Sequence, residues 1–147
     1  MTVIGEVTYL KKEYIIPVFV PHLGCTKCCT FCNQRKISGE LKQVTPKDVT
    51  DTINYYLSSF KDENNYVEVA FFGGSFTAID KKIQEELLSS VQPFIKEGKV
   101  DSIRLSTRPD AIDKDILKML KKYNVKTIEL GVQSTNDYIL EKCKRGH

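Results

Sequence analysis

The sequence has no apolar run near the ~20 residues that a bilayer-spanning helix needs, and no contact with a membrane is expected from it. Its opening, Met1-Thr-Val-Ile-Gly-Glu6, lacks the basic flank and apolar stretch of a secretion signal. No Gly/Ser- or Pro-rich linker and no low-complexity segment divides the 147 residues, a length that fits one domain with a real core. An excess of charge of one sign is lacking too. The 22 Lys and Arg against 19 Asp and Glu leave +3, too little to demand a nucleic-acid partner and no bar to one. A cytoplasmic location is the default expectation, and in that reducing compartment cysteines serve as thiols or metal ligands rather than structural disulfides.

Cysteine is what the chain has in unusual density. Four of its five lie in Gly24-Cys-Thr-Lys-Cys-Cys-Thr-Phe-Cys32, directly after the apolar run Tyr14-Ile-Ile-Pro-Val-Phe-Val20. Thiols crowded this way point to a shared inorganic centre, for which three arrangements compete. A zinc tetrathiolate from Cys25-x2-Cys28 and Cys29-x2-Cys32 lacks the spacer of roughly 15–20 residues between such pairs, and the side chains of adjacent Cys28 and Cys29 tend to diverge. A thioredoxin-like redox disulfide would use only two of the four. Cys25-x3-Cys29-x2-Cys32 would hold three corners of a 4Fe–4S cluster and leave one iron without a protein ligand, and an open position is what catalysis at a metal needs. Spacing and strand context favour the iron–sulfur arrangement, with Cys28 a bystander and Cys143 a packed or surface thiol.

Around this loop the chain alternates strand-like and helix-like segments. Residues 14–20, 67–72, 102–106 and 127–132 read as strands, although Pro17 and Pro21 weaken the first. Thr45 is expected to cap a helix, with Pro46 at its first position, Asp48 completing a capping box, and Val49, Ile53, Leu57 and Phe60 at helical spacing. Asp80 caps a second helix with Ile83, Leu87, Leu88, Val91 and Phe94 on its apolar face, ended near Gly98. Residues 113–123 form a third, with Ile116, Leu117, Leu120 and Tyr123 inward, and Ser134, with Asp137 three residues on, opens a fourth. This alternation predicts an α/β fold with a parallel sheet, residues 1–13 being a loosely packed lead-in. Every unusual cluster follows the carboxyl end of a strand: the cysteines, Gly73-Gly74-Ser75-Phe76-Thr77, Thr107-Arg108-Pro109-Asp110 and Gln133-Ser134. That edge carries the active site in β/α barrels and open α/β sheets.

Taken singly, these clusters have plain explanations. Gly73-Gly74 is a turn, Arg108-Pro109-Asp110 a helix-entry turn, Gln133 and Ser134 helix caps, and Arg145 a solvated charge on a helix dipole. His22 and Tyr14 carry no signal of their own. The shared edge with the cysteines is what favours function.

The cysteine loop, with Phe31 just before its last cysteine, and Phe72-Gly-Gly-Ser-Phe76 resemble the radical S-adenosylmethionine superfamily. Ser106-Thr-Arg-Pro-Asp110, Glu129-Leu-Gly-Val-Gln-Ser134 and Arg145-Gly-His147 resemble the radical domain of the catalytic subunit of Elongator and its bacterial relatives. The cysteine spacing is more similar to oxygen-independent coproporphyrinogen dehydrogenase. The resemblance covers residues 14–147 and implies a partial (β/α) barrel of about four parallel β-α units, cut from a barrel of six. It implies that Cys25, Cys29 and Cys32 bind a 4Fe–4S cluster whose open iron takes the amino and carboxylate groups of S-adenosylmethionine. Phe31 would position the adenine, and Phe19 would pack near the cluster. Gly73 and Gly74 would admit the methionine amino group close to the backbone. Ser75 and Ser106 stand where relatives carry glutamates. Gln133 and Arg145 match a pair contacting ribose and carboxylate, for which the planar fork of arginine is suited.

The implied chemistry is one-electron cleavage of the sulfonium to a 5′-deoxyadenosyl radical that abstracts hydrogen from substrate, with no protein side chain acting as catalyst. An electron donor such as a flavodoxin or ferredoxin is implied, and a tRNA nucleoside is the favoured substrate. The alternatives are a tetrapyrrole oxidoreductase and a non-catalytic Fe–S or metal-binding module. Four units without the fifth and sixth strands are expected to be a piece of a longer chain, inactive alone, with an exposed sheet edge inviting self-association.

Overall fold

The computed structural model describes residues 11–21, 29, 30, 32, 43–60 and 65–146. Cys25, Cys28, Phe31 and residues 1–10 of the expected lead-in lie outside the described residues. Four strands, β1 (Lys12–Val20), β2 (Asn65–Gly73), β3 (Ser102–Thr107) and β4 (Val125–Leu130), form one sheet in the order β1-β2-β3-β4, every pair parallel. Between and after them run α1 (Pro46–Ser59), α2 (Lys81–Lys96), α3 (Lys114–Lys122) and the short α4 (Asp137–Lys142). This is the expected α/β alternation. Pro17 is accommodated because β1 is an edge strand among the described residues, where a missing N–H costs no ladder bond on the open side.

Local signals set the helix starts. Thr45 and Asp48 form the reciprocal capping box, with the Asp48 carboxylate accepting from Thr45 N at 2.8 Å and Thr45 Oγ1 accepting from Asp48 N at 3.2 Å. Asp80 accepts from the Lys82 and Ile83 amides, and Asp113 from those of Asp115 and Ile116. At the far end of α2, Gly98 takes φ +69°, a left-handed stop that glycine adopts without strain.

The strand period of two separates the faces. On one, Ile16, Val18 and Val20 of β1, Val69 and Phe71 of β2, and Ile103 and Leu105 of β3 are buried with Val49 and Ile53 of α1, Leu87, Leu88 and Val91 of α2, and Met119 and Leu120 of α3. Each such aliphatic or aromatic side chain contributes about 1.5–3 kcal/mol on leaving water. On the other face Ile15 and Phe19 are exposed, and beside Ala70 and Phe72 of β2 lie the polar Glu68, Ser102, Arg104, Ser106, Thr127 and Glu129.

Three expectations are corrected. The fourth strand is Val125–Leu130 rather than residues 127–132, because Asn124 at φ +61° turns the chain from α3 directly into the sheet. On α3 Leu117 points to solvent, and Met119 takes the inward place beside Leu120. Ser134 does not open α4: its hydroxyl accepts from Asn136 N, and Asn136 is the cap, accepting from Ile139 N.

Candidate metal centre at the strand ends

Because all four strands run the same way, their carboxyl ends Val20, Gly73, Thr107 and Leu130 lie along one edge. Hydrogen bonds stitch that edge together. Gly74 N donates to Val20 O at 3.0 Å, joining the ends of β1 and β2. The buried hydroxyls of Thr77, in the 3-10 turn Phe76–Ala78, and Thr107 meet at 2.6 Å. Gly131 N donates to Thr107 O at 2.9 Å, which joins the ends of β3 and β4.

Gly73 has a structural reason of its own. Its φ is +111°, and a Cβ there would stand 2.5 Å from Val20 O and 2.9 Å from the Phe19 ring. Only glycine fits such a position, so the ring of Phe19 lies directly against the backbone of the Gly73-Gly74 turn. Ser75 is half-buried at the start of the 3-10 turn, makes no side-chain cap, and receives Ala78 N on its carbonyl.

Two of the three cysteines proposed as ligands are described. Cys32 N donates to Cys29 O at 3.0 Å, closing a turn that brings the two residues together at the mouth. Cys29 is 6% exposed and its sulfur lies 3.9 Å from Arg145 Nη1. Thr30 N donates to Cys143 O at 3.1 Å, fastening this loop to the end of α4. Arg145 reaches inward because α4 ends in a Schellman turn: Lys144 is left-handed at φ +55°, Lys144 N bonds Glu141 O and Arg145 N bonds Leu140 O. The arginine is 8% exposed rather than solvated, and its Nη2 donates to Gly131 O at 2.5 Å. Gln133, at φ +72° with no helix end to explain it, brings its amide nitrogen to the same spot; Gln133 Nε2 and Arg145 Nη2 each lie 3.6 Å from where a Gly131 Cβ would stand. The expected pair is thus brought together.

Ser106 has another partner. It donates to Glu129 Oε2 at 2.8 Å, at the head of a polar lane across the face opposite the helices. Arg104 binds Glu129 Oε1 at 3.0 Å and Glu68 Oε2 at 2.9 Å, and Glu68, 5% exposed, also receives Ser102 Oγ at 2.7 Å. Hydrogen bonding to Glu129, then to Glu68, holds the Arg104 guanidinium charged, above its already high ordinary value. Arg108 forks onto Asp110, Nε to Oδ1 at 2.9 Å and Nη2 to Oδ2 at 3.0 Å, inside the expected turn. Sequence reasoning missed the Glu68–Arg104–Glu129 lane. Its signal is a charged residue between apolar neighbours, Val67-Glu-Val69 and Ile103-Arg-Leu105.

No group of three metal-capable side chains occurs among the described residues, and Cys25 is not one of them. The donors that are described fit a cluster of thiolate ligands. Two cysteines share a turn, and beside one of them a buried arginine carries an Nε with no hydrogen-bond partner among the described residues. An anionic group at this place would satisfy that atom.

A family model described as the Radical SAM superfamily matches residues 19–147. A Methanocaldococcus jannaschii protein named as a methylthiotransferase is 30% identical, over 85% of this chain and 28% of its own length. The tRNA uridine(34) acetyltransferase of the same organism is 30% identical, over 56% of this chain and 18% of its own. Among solved structures, Methanocaldococcus infernus Elp3 lacking its N-terminal residues superposes with a TM-score of 0.59 at 19% identity, over 95% of this chain and 33% of that one. The chain therefore spans about a third or less of the length of these proteins.

Proposed function

The chain belongs to the radical SAM superfamily, and from that premise we propose that it forms the cluster- and S-adenosylmethionine-binding part of a tRNA-modifying enzyme. Cys25, Cys29 and Cys32 hold a 4Fe–4S cluster in this reading. Bound there, the cluster would supply the electron that splits S-adenosylmethionine into methionine and a 5′-deoxyadenosyl radical able to take hydrogen from substrate.

The chain's own residues position the cofactor. The Gly73-Gly74 turn offers bare backbone, with Ser75 beside it, to the methionine amino group. Arg145 and Gln133 face the carboxylate and ribose from the end of β4, while Phe19 would pack near the cluster and Phe31 would position the adenine. Ser106 orients Glu129 rather than standing in for a missing carboxylate. The observation that carries this reading is the meeting of Cys29, Arg145 and Gly131, with Gln133 alongside, at the strand-end edge.

A tRNA substrate is supported by the name of one relative, a tRNA uridine(34) acetyltransferase. A flavodoxin or ferredoxin would deliver the electron. Among the described residues β4 pairs only with β3, and its free edge is where further barrel strands, or a second chain, would add.

The test is anaerobic reconstitution followed by chemical reduction with S-adenosylmethionine. Formation of 5′-deoxyadenosine supports an enzyme, whereas a stable cluster that does not bind S-adenosylmethionine points to a non-catalytic module. Binding of unmodified tRNA that weakens as salt rises supports the RNA substrate; binding of a tetrapyrrole instead would overturn it.

A further inference from the structure

A buried guanidinium is ordinarily matched by a carboxylate, since leaving it unpaired costs several kcal/mol. The hydrogen bonds of Arg145 within the described residues run instead to a carbonyl and a sulfur: Nη2 to Gly131 O, Nη1 to Cys29 Sγ, and Nε to nothing. The same turn holds the cysteine loop a second time, through Thr30 N on Cys143 O. Two independent contacts, one side-chain and one backbone, thus tie residues 29 and 30 to a segment more than a hundred positions away.

The geometry points to Arg145 as a positioning residue for Cys29, holding that ligand in place and setting the reduction potential of the cluster through an N–H···S contact. This rests on Cys29 being a cluster ligand, as proposed above, and it is separate from any contact with the carboxylate of S-adenosylmethionine. A metal-bound thiolate carries the negative charge that the described surroundings of Arg145 otherwise lack. Hydrogen bonds to ligand sulfur raise the potential of an iron–sulfur cluster, because the reduced form carries one more negative charge and gains more from a nearby donor. At 8% exposure the guanidinium is little screened by water. Its fork is also pinned at Gly131, so the donor is aimed before any cluster arrives.

The experiment compares the parent chain with Arg145→Lys and Arg145→Met, reconstituted anaerobically without S-adenosylmethionine, by redox titration followed by electron paramagnetic resonance. The midpoint should shift to more negative potential in Arg145→Met, with Arg145→Lys, which keeps the charge but loses the fork, in between. A parental midpoint in Arg145→Met would overturn the inference and leave Arg145 a contact for S-adenosylmethionine alone.

A parent that takes up no cluster would count against the proposed function instead, and the clamp is then read in cluster-free protein. Alkylation of Cys29 is followed by mass spectrometry, with parent and variant compared at one fixed pH. Cys29 should react roughly tenfold faster in Arg145→Met, the scale of a lost hydrogen bond to a charged group. An unchanged rate overturns the clamp.

Discussion

The two faces of this sheet are built from the same four strands and have opposite characters. On the helix-covered face Ile16, Val69, Phe71, Ile103 and Leu105 are fully buried and wholly apolar. On the opposite face the alternate residues of the same strands carry Glu68, Arg104, Ser106 and Glu129, joined edge to edge by charged hydrogen bonds. One side of each strand holds the fold together. The other side, with the carboxyl edge above it, carries the polar groups. Substitutions should therefore separate into those that cost stability and those that cost binding.

The largest stability effect belongs to the covered face. Phe71→Ala removes a fully buried ring that packs on Phe76 at 4.9 Å between centroids, and urea titration should show a loss of about 3–5 kcal/mol. A value under 1 kcal/mol would mean that this face is not the core. On the opposite face, Arg104→Met strands the buried Glu68 carboxylate with only hydroxyl partners among the described residues, for an expected cost of about 3 kcal/mol. Combining it with Glu68→Leu should recover much of that loss, since the coupled pair is not additive; strict additivity would show that the two charges do not depend on each other.

At the edge between the faces, Gly73→Ala forces a Cβ onto Val20 O at a left-handed φ. Thermal unfolding should report a loss of about 2–3 kcal/mol, from a residue with no side chain to remove. Gln133→Gly should move stability by less than about 0.5 kcal/mol, because relief of left-handed strain offsets the added chain entropy. Calorimetry should nevertheless show weaker S-adenosylmethionine binding. A large destabilisation with unchanged binding would make Gln133 a structural residue.

How much of this was legible in the sequence depends on whether the signal was local. The capping box at Thr45 and Asp48, the Asp80 cap and the Gly98 stop are each written within four residues, and all stand as read. The alignment of four strand-end clusters on one edge was legible for the same reason: alternation of periods implies parallel strands, and parallel strands share an edge. Less visible was which of several competent caps would win. Ser134 and Asn136 both have the chemistry, and the chain reaches the helix from the end of β4 in a way that seats Asn136. Leu117 lies close in angle to the buried stripe of α3, yet the short helix turns Met119 inward instead.

Arg145 shows the deepest limit. As a string, Arg145 reads as a solvated dipole partner or, through resemblance, as a contact for a carboxylate, and neither places it against a cysteine. Only the left-handed Lys144 and the bonds to Leu140 and Gly131 reveal that the chain doubles back and buries it against Cys29. Long-range contacts of this kind, like the Glu68–Arg104–Glu129 lane, depend on strand register, which no local motif encodes.

The most direct test of the central claim is the iron content and visible absorbance of anaerobically reconstituted protein, measured for the parent, Cys29→Ala and Cys143→Ala. A cluster in the parent and in Cys143→Ala, lost in Cys29→Ala while folding is retained, is the predicted result. Equal iron in the parent and Cys29→Ala, or none in the parent, would contradict it.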